Sequence, residues 1–209
     1  MAPRWLALHH LAHRQYGYIT TQQAERHGLT RPALHYHLHA GTIERHERGI
    51  YRMATYPPND EEREAVLMLW SRNRAGVPQA TLSHETALRH FELGDAFPEK
   101  IHLTVPPGFR KPPPDDVRLH KASLAAEDIH HEHILRFTTP LRTLLDLIRD
   151  DYPDDAAQEA IAQALDRGLI RRRTIARGDT PTLERYLHAL AEPEREHVRT
   201  RLRHLTIGA

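Results

Sequence analysis

The segment from residue 18 to residue 52 constrains the fold most, because its capping and turn residues predict a compact succession of short elements. Thr20 is followed three residues later by Gln23, which is the spacing of a capping box at a helix start. In such a box, each of the two side chains accepts a hydrogen bond from a backbone N–H that the helix leaves unpaired. Gly28 ends this first predicted helix after about two turns.

A second helix is predicted to begin directly after this turn. Thr30 can cap it, and Pro32 lies in its first turn, where a missing N–H is tolerated. Leu34 and Leu38 are four residues apart and give the helix one apolar face, and Gly41 ends it. The opposite face carries hydrogen-bond donors and stacking groups: Arg31, His35, Tyr36 and His39.

A β-hairpin is predicted next, because residues 42–46 and 50–52 flank a glycine-bearing turn. Arg48 lies at the tip of this hairpin, with Arg45 and Arg52 on its strands, where they could reach a phosphate or the minor groove. Two short helices followed by such a wing are typical of a winged helix-turn-helix that places its second helix in the major groove of DNA. The alternative is a degenerate winged helix that contacts protein.

Charge is distributed unevenly along the 209 residues. The whole chain holds 29 Lys and Arg against 28 Asp and Glu, but residues 1–56 hold seven arginines against three glutamates, a net charge of +4. The remainder therefore carries −3, so only the N-terminal end is expected to meet phosphate. Cysteine is absent, which excludes disulfides and thiolate metal sites. Without a long apolar run or signal core, the protein is expected to be cytoplasmic and to bind no membrane.

Pro57 and Pro58 mark a predicted domain boundary, since paired prolines stop helices and strands. Beyond them, hydrophobic periodicity predicts mixed structure and then helices alone. The predicted elements are helices over 60–74 and 83–91, strands over 100–105, 117–120 and 132–137, and helices over 140–150, 154–167, 183–190 and 194–205. The predicted fold is α/β (α+β), with a winged helix-turn-helix at 1–56, a mixed α/β domain at 57–178 and C-terminal helices at 179–209.

Five short motifs in fixed order give the chain a family resemblance: RGIYR, LSHETAL, IHLTVP, TTPLRTLLDL and ALDRGLIRRR. Their order resembles the AbiEi antitoxins of type IV toxin–antitoxin systems over about residues 6–178. The resemblance implies a repressor that binds double-stranded DNA upstream of its own operon and opposes a nucleotidyltransferase-like toxin.

The resemblance also implies which residues act. The DNA-binding residues would be Thr30, Arg31, His35, Tyr36, His39 and Arg48, to which the hairpin pattern adds Arg45. The motif residues of the antitoxin domain would be Ser83, His84, Glu85, Thr86, Arg142, Thr143 and Asp146.

Enzymatic readings are weaker. Relatives with a nuclease-like domain carry an acidic pair and a Glu-x-Lys strand behind the TPxRTxxDL motif, and neither Glu-x-Lys nor Asp-x-Lys follows Asp146 here. Ser83, His84 and Glu85 are triad residue types, but consecutive helical residues point about 100° apart. They are instead expected to cap and pack a helix start, so no enzymatic activity and no cofactor are predicted.

Other polar clusters have simpler explanations. Asp128 with His130, His131 and His133 could supply metal ligands, but in so histidine-rich a chain a solvated surface is favoured, and no metal is predicted. Arg142 and Asp146, four residues apart on a helix, are expected to pair with each other. The basic run 171–173 is expected to be a solvated helix turn, with an auxiliary phosphate contact as the alternative.

Overall fold

The computed structural model describes residues 3–171 and 180–207. They form two compact units. The N-terminal unit comprises the chain up to Ala80 together with His131–Arg136, and the second unit comprises Thr81–His130 and the described residues from Phe137 onward. No helix among these described residues is long and apolar enough to cross a membrane.

The N-terminal unit combines helices with a small antiparallel sheet. Its elements are α1 (Pro3–His13), β1 (Tyr18–Thr20), α2 (Thr21–Arg26), α3 (Arg31–His39), β2 (Ile43–Glu47), β3 (Ile50–Met53) and α4 (Glu62–Ser71). The sheet has the strand order β1-β3-β2. Helix α1 and strand β1 were not predicted as separate elements, although Leu8 and Ala12 on α1 are both buried.

The capping residues act as the sequence predicted. The backbone N–H of Gln23 donates to Thr20 Oγ1 at 3.2 Å, and the N–H of Thr20 donates to Gln23 Oε1 at 2.9 Å. Thr30 Oγ1 accepts from the N–H of Ala33 at 3.4 Å, which caps α3. Gly28 adopts a left-handed φ of +79°, a conformation that glycine enters without steric cost, in the turn between α2 and α3.

Strands β2 and β3 form the predicted hairpin, with Gly49 at a φ of +74° in its turn. Their register shifts between Arg45 and Glu47, so that β2 contains a bulge at His46. A bulge adds one residue to one strand and increases the local twist. Ile43 and Ile50 remain buried on either side of the bulge and anchor both strands in the core of the unit.

Helix α4 packs against β1 and β3 and so belongs to the N-terminal unit. Its residues 65–69 are all buried, rather than only the apolar stripe that the sequence indicated. The ion pairs Arg52–Glu62 and Arg63–Glu47, at 3.2 and 2.9 Å, also connect this helix to the hairpin. The predicted domain limits at 56–57 and 178–179 remain a prediction, and the latter lies outside the described residues.

Five further strands form a sheet with the order β6-β5-β4-β8-β7 among the residues described. Strand β4 is antiparallel to β5 and parallel to β8, and β5 is parallel to β6. The elements after α4 are β4 (Thr81–Leu82), α5 (His84–His90), β5 (Ile101–Val105), β6 (Val117–Lys121), β7 (Ile129–Glu132), β8 (Leu135–Thr138), α6 (Pro140–Arg149), α7 (Asp154–Asp166), α8 (Pro181–Ala189) and α9 (Glu192–Ile207).

Helix α6 lies at the centre of the second unit, in contact with α5, α7, α8 and α9. Every residue from Arg142 to Ile148 is buried, so the helix packs on all sides rather than along one apolar stripe. Leu145 and Ile148 are fully covered, and Ala160 and Val198 from the neighbouring helices join the same core. Burying each large aliphatic side chain stabilises the fold by about 1.5–3 kcal/mol.

Two strand predictions were wrong in detail. The predicted strand over 132–137 is two strands, β7 and β8, because His133 turns the chain with a left-handed φ of 54°. The predicted strand over 100–105, whose alternating apolar residues indicate one buried face, is buried on both faces, since His102 and Thr104 are buried as well as Leu103 and Val105. In the basic run 171–173, only Arg171 belongs to the described residues, and it is exposed.

Candidate functional site

Helix α3 presents a polar face to solvent on the N-terminal unit. Its predicted contact residues Arg31, His35, Tyr36 and His39 are all exposed, while Leu34 points into the core. Tyr36 is 68% exposed, and its ring makes only an edge contact with His37, with 5.6 Å between the ring centres. Such a side chain is suited to contact a partner surface.

His37 on the same helix has a structural role. Its ring stacks on Trp5 of α1 at 3.9 Å, and its Nδ1 lies 2.8 Å from Thr42 Oγ1. Burial lowers the pKa of His37, so the ring stays neutral in this packed position. The contact fixes α3 against α1 and leaves the neighbouring polar residues free to face solvent.

Arg31 is the most N-terminal cation of this face. Its Nε lies 3.2 Å from Glu25 Oε1, but the arginine side chain is 84% exposed, so solvent screens the pair strongly. His35 and His39, one turn apart, bring their Nε2 atoms to 3.3 Å. The face therefore carries an exposed guanidinium and two neighbouring imidazoles, which are groups that can donate to base edges.

The hairpin adds two exposed cations. Arg48 lies in the turn and Arg45 on β2, and neither forms an ion pair with any residue that the structure describes. Arg52 differs, because its guanidinium contacts Glu44 at 3.8 Å and Glu62 at 3.2 Å. Of the three arginines that the sequence placed on the hairpin, Arg52 therefore has a structural role.

Thr30 is exposed, but its hydroxyl oxygen already caps α3. The hydroxyl proton stays available for donation, because capping uses only the acceptor side of the group. All seven residues predicted to contact DNA lie on α3, at its cap or on the hairpin of one unit. The structure thus brings them onto neighbouring elements of the same small domain.

The motif residues of the second unit are buried, except for Glu85, which is partly exposed. Ser83, His84 and Thr86 are at most 8% exposed. Ser83 Oγ lies 2.9 Å from His84 Nδ1, although consecutive helical residues were expected to point apart. Ser83 is extended and His84 has a left-handed φ of 53°, so the regular helical spacing does not apply to this pair. The Ser83 hydroxyl also forms no helix cap and instead accepts from Thr104 Oγ1 at 2.8 Å.

His84 belongs to a cluster of three imidazoles. Its ring stacks on His120 at 3.6 Å, and His102 lies 5.1 Å from His120 between ring centres. Burial, together with the nearby His120 and His84, lowers the pKa of His102 to about 4. Glu85 Oε2 lies 3.4 Å from His102 Nε2, and Thr86 Oγ1 accepts from the His102 N–H at 2.8 Å.

Asp150 borders this cluster. Its Oδ2 lies 3.3 Å from His84 Nε2 and 3.5 Å from His120 Nδ1, and Arg149 Nε donates to its Oδ1 at 2.7 Å. Burial alone would raise the pKa of Asp150, but the contacts with His120, His84 and Arg149 outweigh burial and hold it far below its usual range. Asp150 is therefore a permanent anion beside the imidazoles.

Arg142 organises a second buried network. Its Nε donates to Asp146 Oδ2 at 3.0 Å, as the sequence predicted, and its Nη1 reaches Asp128 Oδ2 at 3.4 Å. Tyr186 donates its hydroxyl to Asp146 at 3.0 Å, and Arg185 donates to Asp128 at 3.1 Å. Asp128 therefore pairs with two arginines. Its carboxylate is not available for the metal site that the sequence offered with His130, His131 and His133.

Thr143, the remaining motif residue, donates to the carbonyl of Thr138 at 3.1 Å and fixes the start of α6 against β8. A cleft of about 1120 Å³ opens beside the Arg142 network between β6, α6 and α8. Arg142, Arg149 and Arg185 line it, but each is ion-paired with an aspartate. The motif residues therefore form hydrogen bonds and ion pairs with other residues of the unit and stabilise its interior.

Several residues of these networks were not predicted: His102, His120, Asp128 as an ion-pair partner, Asp150, Arg185 and Tyr186. The histidines in IHLTV and VRLHK were visible in the sequence. Their proximity depends on the parallel pairing of β5 with β6, which places Thr104 opposite His120. No local pattern reports that pairing.

The N-terminal unit is a domain of the helix-turn-helix type. It has two capped helices, an exposed polar face on the second of them and an adjoining hairpin. Residues 7–54 match the model of the family described as transcriptional regulator, AbiEi antitoxin. This match confirms the resemblance over these residues of the N-terminal unit. No curated protein matches the chain.

Among solved structures, the chain is similar to the crystal structure of the RV2827C protein from Mycobacterium tuberculosis. The two have a TM-score of 0.52 at 16% identity, and the match covers 100% of this chain and 82% of the other. At that identity the likeness concerns the fold alone. It supports the mixed architecture of a helical head, an α/β region and C-terminal helices.

Proposed function

We propose that the protein binds a specific DNA sequence through α3 and the hairpin, and thereby represses its own operon by covering the promoter. The observation that carries this proposal is the exposed face of α3, where Arg31, His35, Tyr36 and His39 form a row of donors and stacking groups. Such groups read base edges in the major groove. The family match of residues 7–54 to transcriptional regulators supports the same conclusion.

The hairpin would act as the wing in this complex. Arg45 and Arg48 are exposed and without ion-pair partners in the described parts of the chain, so their binding to phosphate would break no existing interaction. Phosphate contacts fix the register of the protein on the duplex, while contacts from α3 select the sequence. The net charge of +4 on residues 1–56 favours this end of the chain for contact with DNA.

The test is binding of the full-length protein to a labelled fragment from upstream of its own gene, measured by fluorescence anisotropy across a salt series. Specific binding should survive an excess of scrambled competitor DNA. The double variant Arg31→Ala/Tyr36→Ala should lose it, whereas Arg110→Ala, which removes an exposed cation of the second unit, should not. Equal competition by scrambled DNA would overturn sequence-specific repression.

We further propose that the second unit carries the antitoxin function against a nucleotidyltransferase-like toxin, as the resemblance implies. Because Ser83, His84, Arg142, Thr143 and Asp146 are buried, they would support this function by maintaining the fold. Contact with a toxin would have to come from other side chains. The rival role as a nuclease receives no support from the helices α7 to α9, which provide no Glu-x-Lys strand in the described part of the chain.

Co-expression with the product of the neighbouring gene separates the two roles. If the second unit opposes a toxin, the Arg31→Ala/Tyr36→Ala variant should still protect cells although it no longer binds DNA. Loss of protection together with DNA binding would mean that the antitoxin effect acts through transcription alone. A stable complex of the two purified proteins would favour direct binding.

A further inference from the structure

Three histidines from separate elements meet inside the second unit. His84 is the first residue of α5, His102 lies on β5 and His120 on β6. His84 and His102 are 2% and 6% exposed. One ring nitrogen from each of the three lies within 4.8 Å of the corresponding atoms of the other two.

One nitrogen of each ring faces an oxygen that can orient it. His84 Nδ1 lies 2.9 Å from Ser83 Oγ, His102 Nε2 lies 3.4 Å from Glu85 Oε2, and His120 Nδ1 lies 3.5 Å from Asp150 Oδ2. Metal-binding histidines typically show this arrangement, in which a hydroxyl or carboxylate holds the nitrogen that does not bind the ion. The outer oxygen fixes both the tautomer and the ring orientation.

The other nitrogen of each ring is buried and forms no hydrogen bond. His84 Nε2, His102 Nδ1 and His120 Nε2 form no hydrogen bond to any atom of the residues described, although His84 Nε2 lies within 3.3 Å of Asp150. Buried polar atoms are almost always satisfied in folded proteins, so three unsatisfied nitrogens in one cluster require an explanation. A cation held by one nitrogen of each ring is compatible with their separations of at most 4.8 Å.

We propose that His84, His102 and His120 bind one transition-metal ion of the zinc class, with Ser83, Glu85 and Asp150 as the groups that orient them. Three neutral imidazoles are a ligand set that suits zinc, and they leave one position of a tetrahedral ion for a further ligand. The rings of His84 and His120 now stack with 15° between their planes. Binding requires these rings to turn until their in-plane lone pairs converge.

The ion would tie α5 to two strands of the sheet and so stabilise the second unit. The proposal does not depend on DNA binding, because all three ligands belong to the second unit and the DNA-contacting residues to the other. Free energy of metal binding to a site that only the folded chain offers adds to the free energy of unfolding. The bound form should therefore melt at a higher temperature than the metal-free form.

The test uses the metal-free full-length protein titrated with zinc alone in competition with a chromophoric chelator, which suppresses weak binding by surface histidines. The wild type should take up one ion per chain. Its melting temperature should rise by roughly 5–10 °C at a hundredfold excess of free zinc over its dissociation constant. Cobalt in place of zinc should give the visible absorption of a tetrahedral site.

Two variants decide the assignment. His102→Gln should lose the tight ion, the cobalt absorption and the thermal shift. The double variant His35→Gln/His39→Gln, which removes the exposed imidazole pair on α3, should keep all three. Unchanged binding by His102→Gln, or absence of tight binding by the wild type, would overturn the proposal.

A third variant, Glu85→Gln, tests the site without removing a metal ligand. Its result therefore does not depend on whether His102→Gln folds. Glu85→Gln keeps all three imidazoles and replaces only the carboxylate that orients His102. Zinc affinity should fall by about 10–100-fold, as for other losses of an orienting group. An affinity equal to that of the wild type would contradict the assigned geometry.

Discussion

Arg142 and Asp146 lie one turn apart on α6 and form a buried ion pair, with 3.0 Å between Arg142 Nε and Asp146 Oδ2. Removing one partner of such a pair leaves an uncompensated charge in the interior, which costs more than the pair contributes. We therefore expect Arg142→Met to lower the free energy of unfolding by about 3–5 kcal/mol in urea denaturation.

The matched control is Arg31→Met, which removes an arginine from an exposed ion pair with Glu25. Exposed pairs contribute about 0–1 kcal/mol, so this variant should unfold almost as the wild type does. Similar losses for the two variants would contradict the assigned role of burial.

Arg31 is also the residue of α3 best placed to select a base. If it donates to a guanine edge, Arg31→Ala should weaken binding to the operator by about 1–3 kcal/mol and relax specificity at one base pair. The measurement is a competition series against operator variants. Equal weakening on every sequence would instead make Arg31 a phosphate contact.

Arg48 at the tip of the hairpin should contribute to affinity through phosphate. Because Arg48→Ala would release one counterion fewer on binding, the slope of the logarithm of the binding constant against the logarithm of the salt concentration should become shallower by about one unit. Arg110→Ala in the second unit serves as the control and should leave the slope unchanged. A wild-type slope in Arg48→Ala would remove the hairpin from the DNA interface.

Tyr18 makes the stability of the fold sensitive to alkali. Burial, assisted by the negative charge of Glu62, raises the pKa of Tyr18 from its ordinary 10 to about 12. The unfolded chain therefore releases this proton first, and the free energy of unfolding should fall as the pH rises above about 10.

Urea titrations between about pH 9 and about pH 11 measure this effect. Tyr18→Phe should show a shallower decline than the wild type. Tyr36→Phe, which alters an exposed phenol, should decline as the wild type does. Identical declines for all three proteins would assign the alkaline sensitivity to other groups.

The elements that could be predicted from the sequence are those determined by neighbouring residues. The Thr20–Gln23 capping box and the Thr30 cap involve residues three apart, so their positions in the chain suffice to locate α2 and α3. The hairpin could be predicted for the same reason, since its two strands are joined by a short turn. The face of α3 follows from helical periodicity once the cap is known.

Long-range pairings could not be predicted in this way. Strand β1 exists because Tyr18 pairs with Arg52, and the histidine cluster exists because β5 pairs with β6 in parallel. His84 adds a second difficulty, since its left-handed φ departs from the helical geometry on which the expected angle of about 100° to Ser83 was based. The buried charges of α6 were likewise hidden, because a helix pattern does not report partners such as Asp128 and Tyr186.

The chain passes through the N-terminal unit twice, since His131–Arg136 joins the residues before Thr81 there. Arg136 donates to the carbonyl of Pro78 at 2.6 Å, and the ring of His133 meets the edge of Tyr16. A protease cut or stop codon near residue 80 would therefore not release a complete N-terminal unit. To study the N-terminal unit alone, His131–Arg136 must be kept. This can be done by deleting only the residues between Ala80 and His131, or by joining His131–Arg136 to a shorter chain.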